Sequence, residues 1–388
     1  MSIVEKHHSP ETATFEINKP NLMQFGDFSE SLSPLYAGLL AMITAVIVSY
    51  YAIPVIVTIA RKKGLVDAEN DRTSHHGSVP SLGGVAIFAG LILGSSLFIQ
   101  GEDIHGFQYI LAPLIIIFFI GQRDDILGLR AWKKLVAQIV ASLILILLAD
   151  IRITTFHGFA GIHDIPFWAS LLVSLFLYLI IINAFNLIDG IDGLASGTGI
   201  MVSFLLGLWL FGLEKYGMSV VAWSLTGGLI PFFFFNVFGK KNKLFMGDTG
   251  SLMVGMLAAV FAITICSHEL PEEHFLYMRA TPSVMIAVLI FPLFDLLRIF
   301  TLRIMKGRSP FSADRNHIHH LFIDSGISHR RSSFYIILLN MAAILIAWLM
   351  RNESILTVGL TLLGCSILMV VLVRLRHRRR NGSGAPAQ

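Results

Sequence analysis

Long apolar blocks separated by short polar loops run through most of this chain. A bilayer crossing needs roughly 20 mostly apolar residues. Windows meeting that pattern predict about eleven transmembrane helices, near 35–59, 82–99, 107–121, 135–149, 166–183, 194–212, 216–238, 251–267, 280–299, 333–350 and 354–373. The third and fourth are short, and tilt or flanking residues would have to complete them. The expected architecture is an all-α polytopic membrane protein. Residues 1–34 read as a flexible N-terminal tail, 35–375 as a single transmembrane domain and 376–388 as a basic, disordered C-terminal tail. The first residues lack the basic-then-apolar order of a cleaved signal peptide.

The basic residues orient the helices. One set of loops carries Arg61, Lys62, Lys63 and Arg72, then Arg123, Arg130, Lys133 and Lys134, then Lys240, Lys241 and Lys243. The same side holds Arg303, Lys306, Arg308, Arg315, Arg330 and Arg331, and finally Arg374, Arg376, Arg378, Arg379 and Arg380. The opposite loops carry Arg152, Lys215, Arg279 and Arg351. By the positive-inside rule the N-terminus lies outside and the C-terminus in the cytoplasm, as an odd number of spans requires.

Composition agrees with a membrane protein. The chain is 55% hydrophobic and 14% charged, where soluble domains are about 25% charged. Cys266 and Cys365 lie in apolar runs, suit small packing residues and form no disulfide or zinc pattern. No internal repeat of the kind found in many transporters is visible.

The polar chemistry gathers on the predicted cytoplasmic side. Arg123-Asp124-Asp125 adjoins a span end, where a carboxylate is costly unless solvated, paired or metal-bound. The fifth span ends in Asn183-Ala-Phe-Asn186-Leu-Ile-Asp189-Gly-Ile-Asp192-Gly, and Asp189 and Asp192 would be neighbours on a helix. Span eight follows Phe245-Met-Gly247-Asp248-Thr249-Gly250, and the loop after span nine contains Asp314-Arg315-Asn-His317-Ile-His319-His320. Oxygen ligands without cysteine suit Mg²⁺, with Mn²⁺ as the allowed substitute, and both suit a phosphorylated substrate. Each motif also has a plainer role. The Asp pair fits a solvated loop, the Asn pair interhelical hydrogen bonds, Gly-Asp-Thr-Gly a turn and helix cap, and the histidines a wetted interface. Asp295 and Arg298, three apart beside Pro292, fit a local ion pair.

Residues 35–375 resemble the polyprenyl-phosphate N-acetylhexosamine-1-phosphate transferases. The match is carried by the Asp124-Asp125 segment with its downstream Lys134, by 183–197 (NAFNLIDGIDGLASG), by 245–252 (FMGDTGSL) and by 314–320 (DRNHIHH). The histidine loop resembles that of the branch that primes surface polysaccharides. Glu69 and Ser81 depart from residues common in that branch.

The resemblance implies transfer of N-acetylhexosamine-1-phosphate, chiefly GlcNAc-1-phosphate, from a UDP-sugar to undecaprenyl phosphate at the cytoplasmic face of a bacterial inner membrane. It implies Mg²⁺ held by Asn186 and Asp248, with Asp124 and Asp125 on the lipid phosphate and Asp189 supporting the metal cluster. Asp192 and Phe245 would meet the uracil, and Arg315, His317, His319 and His320 the diphosphate or sugar. Lys134, Arg72, His75 and Asn183 would be further substrate contacts. Its partners are the UDP-sugar, the polyprenyl phosphate and membrane lipid, with no nucleic acid; a homodimer is compatible with it. Three alternatives stand beside it: a phospho-MurNAc-pentapeptide transferase, a membrane transporter with polar residues at mid-membrane, and a noncatalytic scaffold.

Overall fold

A computed structural model describes residues 32–65, 79–101, 103–307 and 317–382. Its elements are α1 (Pro34–Lys62), α2 (Gly83–Phe98), α3 (Asp103–Leu127), α4 (Ala131–Leu147), β1 (Thr155–Phe159), β2 (Ile162–Asp164), α5 (Phe167–Ile188), α6 (Leu194–Gly212) and α7 (Tyr216–Phe238). There follow α8 (Gly247–Cys266), α9 (Thr281–Val288), α10 (Ile290–Met305), α11 (Ile318–Asp324), α12 (His329–Leu349) and α13 (Ile355–Gly382).

Seven of these helices, α1, α5, α6, α7, α8, α12 and α13, are long and apolar enough to cross a membrane. The protein is therefore a helical, multi-pass membrane protein. The bent pair α9–α10 brings the number to eight if it forms one span. The other expected spans fall on α2, which has 16 residues, on α4, which has 17, and on α3, whose last turns carry Arg123, Asp124 and Asp125.

Two expectations change. The fold is not wholly helical: β1 and β2 pair antiparallel as a short hairpin between α4 and α5. It docks beyond the C-terminus of α8, where His157 Nε2 donates to the Cys266 carbonyl at 2.7 Å and Thr155 Oγ1 donates to Glu269 at 2.7 Å. Alternation over so few residues is too brief to register against the apolar blocks around it. At the other end of the chain, α13 continues to Gly382, past the expected start of the C-terminal tail. A helix already nucleated in an apolar segment extends at one hydrogen bond per added residue.

The core is α8, apolar on every face and buried along its length. It packs against α3 and α5, and also against α2 and α6, while α1, α2 and α7 form an adjoining group. Small hydroxyls bind helices together: Ser49 Oγ donates to the Ala86 carbonyl at 2.7 Å across α1 and α2, and Ser203 and Thr226 share a 2.7 Å bond across α6 and α7.

The predicted ninth span is broken. The axis turns by 83° at Leu289 between α9 and α10. A break in an apolar setting frees backbone groups that need partners. Asn340 of α12 supplies them: its Nδ2 donates to the Val288 carbonyl and its Oδ1 accepts the Phe291 N–H, each at 3.1 Å. The bend sends α10 toward the end of the bundle where the acidic motifs meet.

Candidate functional site

The site is built around the N-terminus of α8. Gly247, with φ +71°, opens the helix in a left-handed conformation that favours glycine, and a side chain there would strike the Ser81 carbonyl and Asp125. The preceding loop is clipped to the segment before α2. Phe245 N–H donates to the Pro80 carbonyl at 2.8 Å, and the Gly83 and Gly84 N–H groups donate to Phe245 and Met246 at 2.9 and 3.0 Å. Sequence reasoning missed this clip, although the Gly83-Gly84 pair signalled a close backbone approach.

Asp124 and Asp125, adjacent at the end of α3, do different things. Asp125 accepts the backbone N–H of Asp248 at 2.7 Å, the N–H of Thr249 at 3.0 Å and the Thr249 hydroxyl at 2.6 Å. It thus serves as an N-cap supplied from another helix, satisfying donors that α8 cannot satisfy itself. Asp124 accepts the Leu129 N–H at 2.6 Å and the Lys134 ammonium at 3.0 Å. Lys134 also donates to Asp248 at 2.6 Å, so one ammonium bridges carboxylates from α3 and α8. All three side chains remain partly open to solvent.

Asn186 sits on the last turn of α5, with Nδ2 donating to Ser251 at 3.2 Å, beside Asp248. Asp189 follows as the helix C-cap, with φ −77° and ψ 43°. Residues 189–193 form a turn closed by Gly193 at φ +80°, so Asp189 and Asp192 are not helical neighbours as the three-residue spacing suggested. Glycine at 190 and 193 breaks the helix between them. Asp189 keeps a partly open surface. Packed protein around it, then the charges of Asp248, Asp125 and Asp192, push its carboxyl well above the usual carboxylate range.

Asp192 pairs with Lys243 at 2.6 Å, and that ammonium lies 5.7 Å from the centre of the Phe245 ring. Lys243 therefore joins the two residues expected at the nucleobase, and sequence reasoning had counted it only as a topology charge. Asn236 braces the same corner, accepting from Gly193 N–H at 2.7 Å and donating to the Leu244 carbonyl at 2.9 Å. Nothing in the sequence marked this asparagine, which lies in an aromatic run of α7.

Asn183 has a structural place. Its Nδ2 donates to Gln138 of α4 and to the Leu179 carbonyl, both at 2.7 Å, so it makes the interhelical hydrogen bond that an asparagine in an apolar span needs. The amide is committed because an apolar span offers few other partners.

His317, His319 and His320 form one cluster. The rings of His317 and His319 lie 5.5 Å apart and nearly parallel, and those of His319 and His320 lie 4.4 Å apart. His319 packs on Gly190, where any side chain would collide with its ring, and this contact brings the start of α11 onto the Asp189 turn. Burial pushes the His319 imidazole down to about 3, so it is neutral at physiological pH. Arg72, His75 and Arg315 lie outside the described residues.

Among the described residues, no three His, Cys, Asp or Glu side chains converge as a closed metal cage. Mg²⁺ characteristically takes one or two protein oxygens and completes its shell with water and substrate phosphate. The donor set of Asn186 and Asp248, with Asp189 adjoining and several like charges needing a counter-charge, fits that open mode of binding.

Residues 107–266, which contain α8 and the Asp124-Asp125, Asp189/Asp192 and Asp248 motifs, match the model of glycosyl transferase family 4. A decaprenyl-phosphate N-acetylglucosaminephosphotransferase of Mycobacterium leprae is 30% identical over 319 residues, covering 77% of this chain and 80% of its own. The undecaprenyl-phosphate alpha-N-acetylglucosaminyl 1-phosphate transferase of Yersinia pestis is 29% identical, covering 74% and 77%. Its counterpart in Escherichia coli K12 is 28% identical, covering 74% and 76%. With that extent of similarity, and with the family's acidic motifs brought together at one helix terminus, the chain belongs to the polyprenyl-phosphate N-acetylhexosamine-1-phosphate transferases of glycosyl transferase family 4.

Proposed function

We propose that this protein transfers GlcNAc-1-phosphate from UDP-GlcNAc to undecaprenyl phosphate, releasing UMP and leaving the lipid-linked sugar diphosphate in a bacterial inner membrane. The observation that carries this is the Asp124–Lys134–Asp248 bridge beside Asn186 and Asp189, a mixed-charge site suited to two anionic substrates. The names of the relatives support the same donor sugar and acceptor class. The excess of basic residues in one set of loops supports a site at the cytoplasmic face, where the nucleotide is soluble and the acceptor phosphate reaches the bilayer surface.

A phosphate of the acceptor attacks the sugar-bearing phosphorus, a new P–O bond forms, and the bond to UMP breaks. Asn186 and Asp248 would hold Mg²⁺, supported by Asp189. Bound with the donor, it supplies a Lewis acid and offsets the diphosphate charge. Lys134 brings a second positive charge to the same phosphates. Asp124 faces the acceptor phosphate and fixes Lys134. Asp125 keeps Asp248 in place by capping α8. The Asp192–Lys243–Phe245 corner receives the uracil, and the histidine cluster faces the diphosphate and sugar. The acceptor phosphate is already largely ionised at neutral pH, so the attack needs no dedicated base.

UMP release from purified protein tests this, with UDP-GlcNAc, undecaprenyl phosphate and Mg²⁺. Release that requires the lipid and stops with EDTA is expected. Turnover confined to UDP-MurNAc-pentapeptide would move the donor assignment to the peptidoglycan branch, and silence with every UDP-sugar would overturn the reaction.

A further inference from the structure

Asp295 lies wholly buried on α10, within two turns of the bend. A carboxylate there is expensive unless every lone pair is used. Arg298 Nη2 donates to Oδ1 at 2.7 Å, the Ile318 N–H donates to both oxygens at 3.1 and 3.2 Å, and His317 Nδ1 donates to Oδ2 at 3.3 Å. The i, i+3 pair read from the sequence is therefore one part of a larger junction that seats the histidine loop on α10.

The junction has a chemical consequence. An ionised carboxylate only accepts hydrogen bonds, so the ring nitrogen facing it must carry the proton. In neutral His317 that leaves Nε2 as the atom with the lone pair, and in the cation it leaves Nε2 as the second donor. The short α11, only 7 residues long, has no side-chain cap of its own and cannot fix this geometry alone. His317 then stacks on His319, which rests on the Asp189 turn.

We propose that Asp295 is a positioning residue for the transfer reaction, holding the Nδ1–H of His317 so that, in the imidazolium, Nε2–H is the donor offered to the anionic donor substrate. This rests on the histidine cluster facing the diphosphate, as proposed above. Arg298 balances the charge of Asp295 while leaving the Oδ2 side to His317. Among the described residues, the groups beside the His317 ring include Asp295 from α10 and His319 and His320 from α11, with Arg298 paired to the same carboxylate.

The test is a double-mutant cycle on kcat and donor KM, using Asp295→Asn, His317→Asn and the double variant. Asparagine at 317 keeps an N–H where Nδ1 was and removes Nε2. Asp295→Asn is expected to lower kcat roughly 10- to 100-fold, the scale seen when a metal-bound histidine loses its orienting partner, with donor KM little changed. In the His317→Asn background the same change should cost nothing further, because there is no Nε2 left to aim. An equal loss in both backgrounds would mean that Asp295 merely caps α11, and would overturn the proposal. Wild-type turnover by His317→Asn would remove the histidine from the reaction and this inference with it, while leaving the metal and uracil assignments standing. Should Asp295→Asn fail to fold, ¹⁵N NMR of histidine-labelled wild-type protein decides. At alkaline pH the His317 proton is expected on Nδ1, and a proton on Nε2 with Nδ1 bare overturns the proposal.

Discussion

Replacing Lys134 by methionine keeps most of the side chain's length and apolar bulk and removes only the ammonium. In the structure that ammonium lies 3.0 Å from Asp124 Oδ2 and 2.6 Å from Asp248 Oδ2. Those two oxygens can be no further apart than the two contacts laid end to end, about 5.6 Å. The side chains are a quarter or less exposed, so an intermediate dielectric applies, and two unit charges at that distance repel by about 3 kcal/mol. Lys134→Met therefore leaves about that much repulsion without its counter-charge in a site that must also accept two phosphorylated substrates. If it is expressed in the transition state, kcat/KM falls by roughly 100-fold, since 1.4 kcal/mol is a factor of ten. The assay is UMP release at limiting and saturating UDP-GlcNAc. Lys134→Arg, which keeps a cation, should retain much more activity, and raised Mg²⁺ should recover part of the loss in the methionine variant. A methionine variant within about threefold of wild type at all donor concentrations would refute the claim that this bridge supplies charge to the reaction.

Other consequences concern the scaffold around that bridge. Asp125→Ala leaves three donors at the start of α8 without their acceptor, at about 1–3 kcal/mol each where buried; both melting temperature and turnover should fall, and a variant as stable as wild type would detach Asp125 from its capping role. Asn340→Leu strips the partners from the break between α9 and α10, so thermal stability in detergent should drop by several degrees; an unchanged melting curve would argue that water or lipid serves those groups instead. His319 carries a pH signature. Its folded value of about 3 lies below the ordinary 6.5, so the unfolded chain binds the extra proton between those values and stability falls as pH drops. Between pH 7 and pH 5 the loss is about 2 kcal/mol, and His319→Phe should flatten that part of the stability–pH curve; an identical slope in both proteins would contradict a buried neutral ring. Finally, Asn236→Ala should raise the KM for UDP-GlcNAc more than it lowers kcat, since it loosens the corner holding Lys243 and Phe245; a pure kcat effect would argue against a uracil site there.

The linear sequence determined the parts of this protein that depend on composition and short spacing. Runs of apolar residues long enough to cross hydrocarbon are visible without any fold, because hydrocarbon rejects unpaired backbone and charge wherever the chain enters it. The acidic motifs were visible for the same reason: Asp124, Asp189 and Asp248 are conspicuous beside apolar segments. What the sequence left open was which of these groups touch. Asp124 and Asp125 are adjacent and chemically identical, yet one pairs with Lys134 and the other caps α8, a helix more than a hundred residues away in sequence. Asn183 and Asn186 share one motif, yet the first bonds Gln138 of α4 and the second stands beside Asp248. Lys243 and Asn236 met their partners wholly through folding, Asp295 gained His317 and Ile318 beyond the Arg298 pair visible in the sequence, and the short β-hairpin carries too few residues to show a period. Residue type is a local property and can be read along the chain. The assignment of a hydrogen-bonding group to its partner is a property of three-dimensional proximity, and only the packing of α3, α5, α8 and α10 decided it.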